Sequence, residues 1–331
     1  MSDSSPPSMR LVAMSSAGAP EVLAISTDAV PTLRPREVLV KVAFAGVNGP
    51  DIMQRKGLYP PPEGATKTLG LEIAGEVAAI GAEVRRWKVG DSVCALTNGG
   101  GYAEYCAVLE DHCLPIPTGL TLKEAASLPE AYFTVWSNIF MTAHLAAGET
   151  FLVHGGAGGL GTASIQLGKA FGAKVVATDS PAQRIALCAQ LGADRVIDYA
   201  NEDFVEIVRK QFGGADVILD IVAGPYVARN IKAARHDGRI VQLAFALGSK
   251  VEVDLMPIML KRLHYTGSTL RSRPDAFKTE VARQLEAKVW PLFASGQLKS
   301  VVGEVLPLAE AAQAHRLMER AGHSGKIVLQ A

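Results

Sequence analysis

From Thr150 onward, runs of apolar residues alternate with stretches whose apolar positions recur at helical spacing. Continuous runs of Val, Ile and Leu are typical of parallel strands that are buried on both faces, and helices supply the crossovers that parallel strands require. The pattern therefore predicts an α/β domain with a doubly wound parallel sheet of six strands. We expect these strands at residues 151–154, 174–179, 195–199, 215–222, 238–244 and from 264.

The first 125 residues follow a different pattern, in which short apolar segments such as EVLVKVAFAGV are interrupted by Gly and Pro. This pattern is typical of a mostly antiparallel, barrel-like β domain. Beyond the sixth parallel strand, the sequence predicts one long helix over 275–294, a strand at VVGEVLPL, a helix over 309–321 and a last strand, KIVLQ. We expect this C-terminal segment to return to the first domain.

The predicted domain order is therefore discontinuous, with the α/β domain inserted into the β-rich one. A length of 331 residues agrees with two domains, because single hydrophobic cores usually stop growing below that size. We expect a disordered tail over 1–8, a β-rich domain over 9–128 and 272–331, and the α/β domain over 129–271.

Composition limits the partners and the compartment. Lys plus Arg and Asp plus Glu both number 33, so no global field attracts nucleic acid. There is no run of 18 apolar residues, and the first ten residues lack the basic and apolar order of a secretory signal. The four cysteines show no CxxC spacing, which favours reduced thiols. We expect a cytoplasmic protein without a membrane or nucleic-acid partner.

A glycine-rich turn lies between the first predicted parallel strand and the following helix. Gly156, Gly158 and Gly161 satisfy the pattern GxGxxG, and Gly159 and Leu160 complete the turn. In this context the first glycine permits the turn, the second lets the backbone approach a pyrophosphate, and the third allows the helix to pack on the strand. The sequence therefore predicts a dinucleotide site at this turn.

Two residues near the end of the second strand give opposite indications about the dinucleotide. Asp179 ends the strand, where a carboxylate binds a ribose diol and repels a 2′-phosphate. Arg184, five residues later, has the charge to pair with a 2′-phosphate. The expected cofactor is therefore NAD(P)H, with the choice between NADH and NADPH open.

Several stretches together resemble one enzyme family over about residues 9–330. They are AGVNGPDIMQRKGLYPPP, LGLEIAGEV, SLPEAYFTVWSNI, AGGLGTASIQLGKAFGA, TLRSR and GKIVL. The chain resembles the zinc-independent quinone oxidoreductases, the zeta-crystallin-like branch of the medium-chain dehydrogenase/reductase superfamily, and within it the tumour-suppressor-inducible subgroup. This resemblance implies a GroES-like catalytic domain for the β-rich part and a Rossmann cofactor domain for the α/β part.

Zinc-dependent members of this superfamily carry a Cys ligand and a Gly-His-Glu turn, which this sequence lacks. Asn48 stands at the position of the Cys, and Leu71 stands between Gly70 and Glu72 at the position of the His. Glu72 or Glu130 alone cannot complete a zinc coordination sphere. We therefore expect no zinc and no other metal site.

The resemblance also implies site residues. Asn48, Asp51 and Tyr59 are the expected catalytic residues, with Tyr59 facing the substrate. Tyr59 is also consistent with a buried residue that anchors its turn. Val222 and Phe245 are also consistent with core packing. Lys326 is consistent either with a contact to a cofactor phosphate or with a cap of the last strand. Beside the glycine turn, Asp179 and Arg184, the positions expected around the cofactor are Asn48, Thr134, Tyr199, Val222, Phe245, Ala246, Leu247, Leu270 and Lys326.

The expected activity is hydride transfer from NAD(P)H to quinone-like acceptors. Two alternatives stay open at this point. The first is an NAD(P)H-dependent enone or enoyl reductase, and the second is a nucleotide-binding structural or regulatory protein. The family resemblance further implies a homodimer, with the sixth strand, HYTGST, as the edge strand that pairs with a second copy.

Overall fold

The computed structural model describes residues 7–320 and 322–331. Of the disordered tail expected over 1–8, residues 1–6 lie outside the described residues, and Ser8 already begins the first strand. The chain forms two compact units. The first unit comprises the chain up to Phe133 together with Arg271–Ala331, and the second comprises Thr134–Leu270.

The strands and helices are numbered in chain order. The strands are β1 (Ser8–Met14), β2 (Leu23–Ala29), β3 (Glu37–Val47), β4 (Glu72–Ile80), β5 (Ser92–Leu96), β6 (Tyr105–Leu109), β7 (Cys113–Pro115), β8 (Thr150–His154), β9 (Lys174–Asp179), β10 (Arg195–Asp198), β11 (Ala215–Asp220), β12 (Ala234–Gln242), β13 (His264–Gly267), β14 (Val302–Pro307) and β15 (Lys326–Gln330). The helices are α1 (Gly49–Arg55), α2 (Leu122–Ala125), α3 (Pro129–Val135), α4 (Gly159–Ala170), α5 (Ala182–Gln190), α6 (Phe204–Phe212), α7 (Tyr226–Ala233), α8 (Met256–Lys261), α9 (Asp275–Lys288), α10 (Trp290–Ala294) and α11 (Ala311–Glu319).

The first unit is built on a mostly antiparallel sheet in the order β14-β15-β3-β4-β5-β7, with β6 also paired to β3. Buried residues of the long strand β3, such as Val38 and Val40, pack with apolar side chains of the neighbouring strands and form the core of this unit. The C-terminal strand β15 pairs antiparallel with β3, so that Ile327 lies opposite Val47. The predicted return of the C-terminal segment to the first domain is therefore confirmed.

The second unit contains a parallel sheet in the order β10-β9-β8-β11-β12-β13. Helices α4 to α8 connect successive strands, and Leu152, Val176, Ile218 and Ile240 are fully buried in the sheet. The first strand of this unit, β8, lies in the middle, so the strand order reverses between β8 and β11. Dinucleotides bind at such a reversal in doubly wound folds, at the carboxyl ends of the strands. The predicted doubly wound α/β fold is confirmed.

Some predicted boundaries differ from the structure for identifiable reasons. The single helix expected over 275–294 is two helices, α9 and α10, because Pro291 lacks the N–H that a continuing helix requires. The first unit extends to Phe133 rather than to residue 128, since the ring of Tyr132 packs against Trp290 and Phe293. Arg271, which was expected in the α/β domain, belongs to the first unit.

Along residues 7–320 and 322–331, no helix combines the length and the apolar character needed to cross a bilayer.

Candidate active site

The loop between β3 and α1 is fixed by a buried carboxylate. Asp51 accepts one hydrogen bond from the backbone N–H of Asn48 and one from that of Gly70, both at 2.9 Å. Burial raises the pKa of Asp51 to about 6, against the opposing effect of these two N–H groups. Because the Asp51 side chain joins Asn48, which precedes α1, to Gly70, two residues before β4, it sets the position of Asn48.

Asn48 belongs to a buried cluster with Glu72 and Lys326. Its side-chain N–H donates to Glu72 Oε1 at 2.9 Å, and the Lys326 ammonium contacts both Asn48 Oδ1 and Glu72 Oε1. Strand β15 brings Lys326 to this place because it pairs with β3 immediately before Asn48. The Glu72 carboxylate already compensates the charge of Lys326, so the ammonium is not free for a phosphate in this arrangement. The role of Lys326 at the cofactor stays a prediction.

These residues do not fit a catalytic zinc ion. Leu71 is buried and apolar at the position where zinc-dependent members have a histidine, and Asn48 offers an amide in place of a thiolate. The Lys326 ammonium already lies against Glu72, so it would repel a metal cation bound at that carboxylate. Within the described ranges, no group of three or more His, Cys, Asp and Glu side chains could hold a metal ion.

Tyr59 lies beside a buried arginine that the sequence interpretation did not single out. The guanidinium carbon of Arg271 is 5.9 Å from the centre of the Tyr59 ring, within the range of a cation–π contact. Arg271 is held by hydrogen bonds to the Gln54 side chain at 2.6 Å and to the backbone oxygen of Asn98 at 2.6 and 3.1 Å. In the sequence, Arg271 stood only within the stretch TLRSR that carried the family resemblance.

Glu130 joins the same group of side chains from the start of α3. Its backbone N–H donates to Glu72 Oε2 at 2.9 Å, which ties α3 to strand β4. Burial, followed by the negative charge of Glu72, raises the pKa of Glu130 to about 8. Sequence reasoning considered Glu130 only as a metal ligand. We call the following side chains the polar cluster: Asn48, Asp51, Tyr59, Glu72, Glu130, Arg271 and Lys326.

In the second unit, the turn after β8 has the close packing that the glycine pattern predicts. A Cβ atom on Gly161 would lie 2.2 Å from the backbone oxygen of Gly155, and one on Gly156 would lie 2.7 Å from Cys188 Sγ. A Cβ atom on Gly158 would meet nothing closer than 3.4 Å. Helix α4 begins at Gly159, so its first backbone N–H groups are directed to this turn. The turn therefore fits the pyrophosphate of a dinucleotide.

Asp179 and Arg184, which gave opposite indications in the sequence, form an ion pair. The Asp179 carboxylate accepts hydrogen bonds from Arg184 Nε at 2.6 Å and Nη2 at 3.1 Å. It also accepts the backbone N–H groups of Ala157 at 2.7 Å and Ser180 at 2.8 Å. The carboxylate is thus fully hydrogen-bonded, and its charge is compensated by Arg184. Neither residue by itself decides between NADH and NADPH.

Most of the other residues expected at the cofactor follow the carboxyl ends of the parallel strands. Tyr199 follows β10 and is exposed, and Val222 follows β11 and is half-buried. Phe245, Ala246 and Leu247 follow β12 and are exposed, so the alternative in which Phe245 packs in the core is wrong. Thr134 and Leu270 are buried at the two ends of the second unit. The contacts of these residues with a cofactor stay predictions.

A buried polar network that the sequence did not reveal supports the same strand ends. His154 Nε2 is 2.8 Å from Asn230 Oδ1, and His154 Nδ1 is 2.8 Å from Thr178 Oγ1. Asn230 in turn donates to Asp220, whose carboxylate accepts the backbone N–H of Val222 at 2.6 Å. Burial lowers the pKa of His154, so this imidazole stays neutral and acts as a structural residue.

Comparison with known proteins agrees with both units. Residues 34–118 match the family model for the alcohol dehydrogenase GroES-like domain, and residues 159–287 match the model for zinc-binding dehydrogenase. The quinone oxidoreductase of Mus musculus is 32% identical over 328 residues, which are 97% of each chain. The chain belongs to the quinone oxidoreductase family.

Solved structures show the same family likeness. A quinone oxidoreductase of Pseudomonas syringae pv. Tomato DC3000 has a TM-score of 0.87 at 29% identity, covering 98% of this chain and 100% of that one. The CurK enoyl reductase has a TM-score of 0.87 at 26% identity, covering 98% and 99%. Membership of the quinone oxidoreductase family confirms the predicted GroES-like and Rossmann fold. It also confirms the predicted class of enzyme, an oxidoreductase with a nicotinamide cofactor.

Proposed function

We propose that this protein reduces quinone-like acceptors with NAD(P)H by hydride transfer that requires no zinc. The observation that carries the proposal is the contact of Lys326 with Glu72 and Asn48. An ammonium and an amide occupy the place where zinc-dependent relatives bind their metal, so the chain must act on its substrate through hydrogen bonds and charge. The family membership and the glycine turn support the nicotinamide cofactor.

The second unit is assigned to cofactor binding. When it is bound, the reduced nicotinamide supplies the hydride. The N–H groups at the start of α4 would hold the pyrophosphate, and the exposed residues that follow β10 and β12 would line its two ends. Asp179 and Arg184 would face the adenosine ribose, where rearrangement of their ion pair decides between a 2′-hydroxyl and a 2′-phosphate.

The first unit is assigned to the acceptor. Burial raises the pKa of Tyr59, so its phenol keeps its proton at neutral pH and can donate a hydrogen bond to a quinone oxygen. The positive charge of Arg271 near the ring strengthens that donor and favours the negative charge that develops on the acceptor. Asn48 and Asp51 keep the loop before α1 in place.

Replacement of Tyr59 tests this assignment. We expect Tyr59→Phe to lower kcat/KM for 1,2-naphthoquinone about tenfold, since one hydrogen bond to the acceptor is lost. Tyr105→Phe, a tyrosine of strand β6 outside the polar cluster, is the matched control and should retain the wild-type value. Equal activity of Tyr59→Phe and the wild type would remove Tyr59 from the acceptor site.

Reduction of an activated carbon–carbon double bond is the second candidate function, and the similarity to the CurK enoyl reductase favours it. The same cofactor geometry serves both reactions, but an enone needs a proton at carbon. Turnover of enones without turnover of quinones would decide for this function. Cofactor binding without oxidation by any acceptor would instead indicate the structural or regulatory alternative.

We further propose a homodimer formed through strand β13. This strand ends the parallel sheet and pairs with β12 alone among the described strands. Apolar side chains are exposed next to it on α8, namely Met256, Met259 and Leu260. A second copy would cover them and complete the hydrogen bonds of the edge strand. Analytical ultracentrifugation should give a mass of two chains, and a mass of one chain would refute the dimer.

The cytoplasm is the proposed compartment. Cys94, Cys106, Cys113 and Cys188 are all free and buried, which agrees with a reducing environment. Cell fractionation with a tagged chain tests this assignment, and recovery in a secreted or membrane fraction would contradict it.

A further inference from the structure

Two side chains of the polar cluster have polar atoms that no other described residue engages. The Glu130 carboxyl group makes no hydrogen bond and no ion pair with any residue in 7–320 or 322–331. The Tyr59 hydroxyl makes no hydrogen bond with any of these residues. Both residues are half-buried, and the negative charge of Glu130 adds to burial in raising the pKa of Tyr59, so the two groups lie near each other. In contrast, Asp51, Glu72 and Lys326 are buried and mutually bonded.

Charged side chains from several elements act on Glu130. Glu72 of β4 and Asp51 of α1 disfavour a negative charge on Glu130, whereas Lys326 of β15 and Arg271 favour it. Lys326 is compensated by its contact with Glu72. Arg271 is only partly available, because its N–H groups bind Gln54 and the Asn98 backbone. Lys278 of α9 also favours a negative charge on Glu130, but its ammonium binds Asn98 Oδ1 and the backbone oxygen of Arg271. All three cations near Glu130 thus have other partners, and Glu130 is the carboxyl group that keeps a proton.

We propose that Glu130 is the general acid of the reaction, which protonates the reduced acceptor beside Tyr59. This inference rests on the proposed function and adds to it the source of the proton. In this arrangement, Tyr59 and Arg271 orient the acceptor, and the Glu130 carboxyl group donates a proton to an oxygen of the acceptor.

The step balances with the cofactor that the proposed function already requires. A C–H bond of the reduced nicotinamide breaks, and its hydrogen and electron pair end as an O–H bond on one quinone oxygen, while the cofactor is oxidised to NAD(P)⁺ and the other quinone oxygen becomes negative. The O–H bond of Glu130 breaks, and an O–H bond forms on the quinone oxygen that has become negative. One hydride and one proton convert the quinone to a hydroquinone, and Glu130 then regains its proton from solvent.

The other acids of the cluster are less suited to this role. Burial raises the pKa of Tyr59 above that of an ordinary phenol, so its proton is held too tightly. Asp51 is 1% exposed, and its oxygens accept the N–H groups of Asn48 and Gly70. A carboxyl group that is protonated near neutral pH and is not already hydrogen-bonded matches the requirement for general acid catalysis, and Glu130, with a pKa of about 8, meets it.

The test is the pH dependence of kcat/KM for quinone reduction by the full-length protein, from pH 5.5 to 9.5. We expect the wild type to lose activity as pH rises through about 8, because Glu130 loses the proton that it must donate. Glu130→Gln keeps the size of the side chain and the backbone bond to Glu72. We expect it to be about 100-fold slower at pH 6.5 and to lack this fall. Glu130→Asp should recover part of the rate together with a fall at alkaline pH.

Glu76→Gln is the matched control, since Glu76 lies on the same strand as Glu72 but is exposed. It should retain the wild-type rate and profile. A wild-type rate or an unchanged fall in Glu130→Gln would overturn the role of Glu130 and leave the proposed function intact. If the wild type reduces no quinone at any pH, the proposed function and the inference are both refuted. If Glu130→Gln does not fold, a wild-type profile in Glu130→Asp, without loss of rate, overturns the inference.

Discussion

Arg55 and Glu319, which are 264 residues apart in the sequence, form a bidentate ion pair with both N···O distances at 3.0 Å. Arg55 ends helix α1 and is 1% exposed, and Glu319 ends helix α11. The same guanidinium lies 3.4 Å from His315 Nδ1, and His315 Nε2 lies 3.2 Å from the Tyr102 hydroxyl. This pair fastens the helix that follows Asn48 to the C-terminal segment that carries Lys326.

Loss of the Glu319 carboxylate should therefore destabilise the first unit. We expect Glu319→Gln to lower the free energy of unfolding by about 2 kcal/mol, because the buried charge of Arg55 loses its partner. Urea denaturation at pH 7 measures this change, and Glu304→Gln on the exposed side of β14 is the control. The pKa of Glu319 is lowered to about 2, so the stabilisation is complete above about pH 4.5 and disappears as pH falls through about 2. A loss below 0.5 kcal/mol would show that solvent and the Gly18 backbone oxygen are sufficient partners for Arg55.

The raised pKa of Glu130 predicts a stability that decreases toward alkaline pH. Between the ordinary carboxyl pKa of 4.5 and the folded value of about 8, the folded protein holds a proton that the unfolded chain releases. The free energy of unfolding should therefore fall by about 5 kcal/mol over this interval through this group. Glu130→Gln should remove this fall and exceed the wild type in stability at pH 9. Identical pH–stability curves for the two proteins would refute the raised pKa.

The ion pair between Asp179 and Arg184 predicts a cofactor switch. Asp179→Ser releases Arg184, and a free guanidinium beside the ribose favours a 2′-phosphate. We expect the ratio of kcat/KM for NADPH to that for NADH to rise about tenfold, a shift of about 1.4 kcal/mol. The double variant Asp179→Ser with Arg184→Ala should lose the gain. If the single variant leaves the ratio unchanged, these two residues do not face the ribose.

The two glycines of the turn predict separate effects on folding and on binding. Gly161→Ala places a methyl group against the Gly155 carbonyl and should reduce stability by about 3 kcal/mol, because helix α4 must move away from the strand. Gly158→Ala has room for its methyl group and should fold normally, yet weaken NAD(P)H binding at least tenfold where the pyrophosphate must approach. Thermal melting and cofactor fluorescence titration measure the two effects. Normal cofactor affinity in Gly158→Ala would exclude the pyrophosphate from this turn.

Local pattern was sufficient for most of the fold. The strands predicted at 174–179 and at KIVLQ match β9 and β15 residue for residue. A continuous apolar run between polar residues leaves little freedom in where a strand begins and ends. The helix over 275–294 was predicted too long, although Pro291 marked the break. The glycine turn was predictable because its physical requirement is local.

The active site was less predictable because its contacts join distant parts of the chain. Glu72 and Lys326 lie on strands that only the sheet brings together, and Arg271 reaches Gln54 through the return of the C-terminal segment. Nothing in the local sequence distinguishes Glu130 from an exposed glutamate at a helix start. Its raised pKa follows from burial beside Glu72, which requires the folded structure.

Oxidation of NADH and NADPH with 1,2-naphthoquinone, a para-quinone and a simple enone, each with and without a chelator, tests the central proposal most directly. We predict that the quinones oxidise the cofactor at the same rate in both conditions, and faster than the enone. Turnover of the enone alone, or loss of quinone turnover with the chelator, would contradict the assignment of this protein as a zinc-independent quinone reductase.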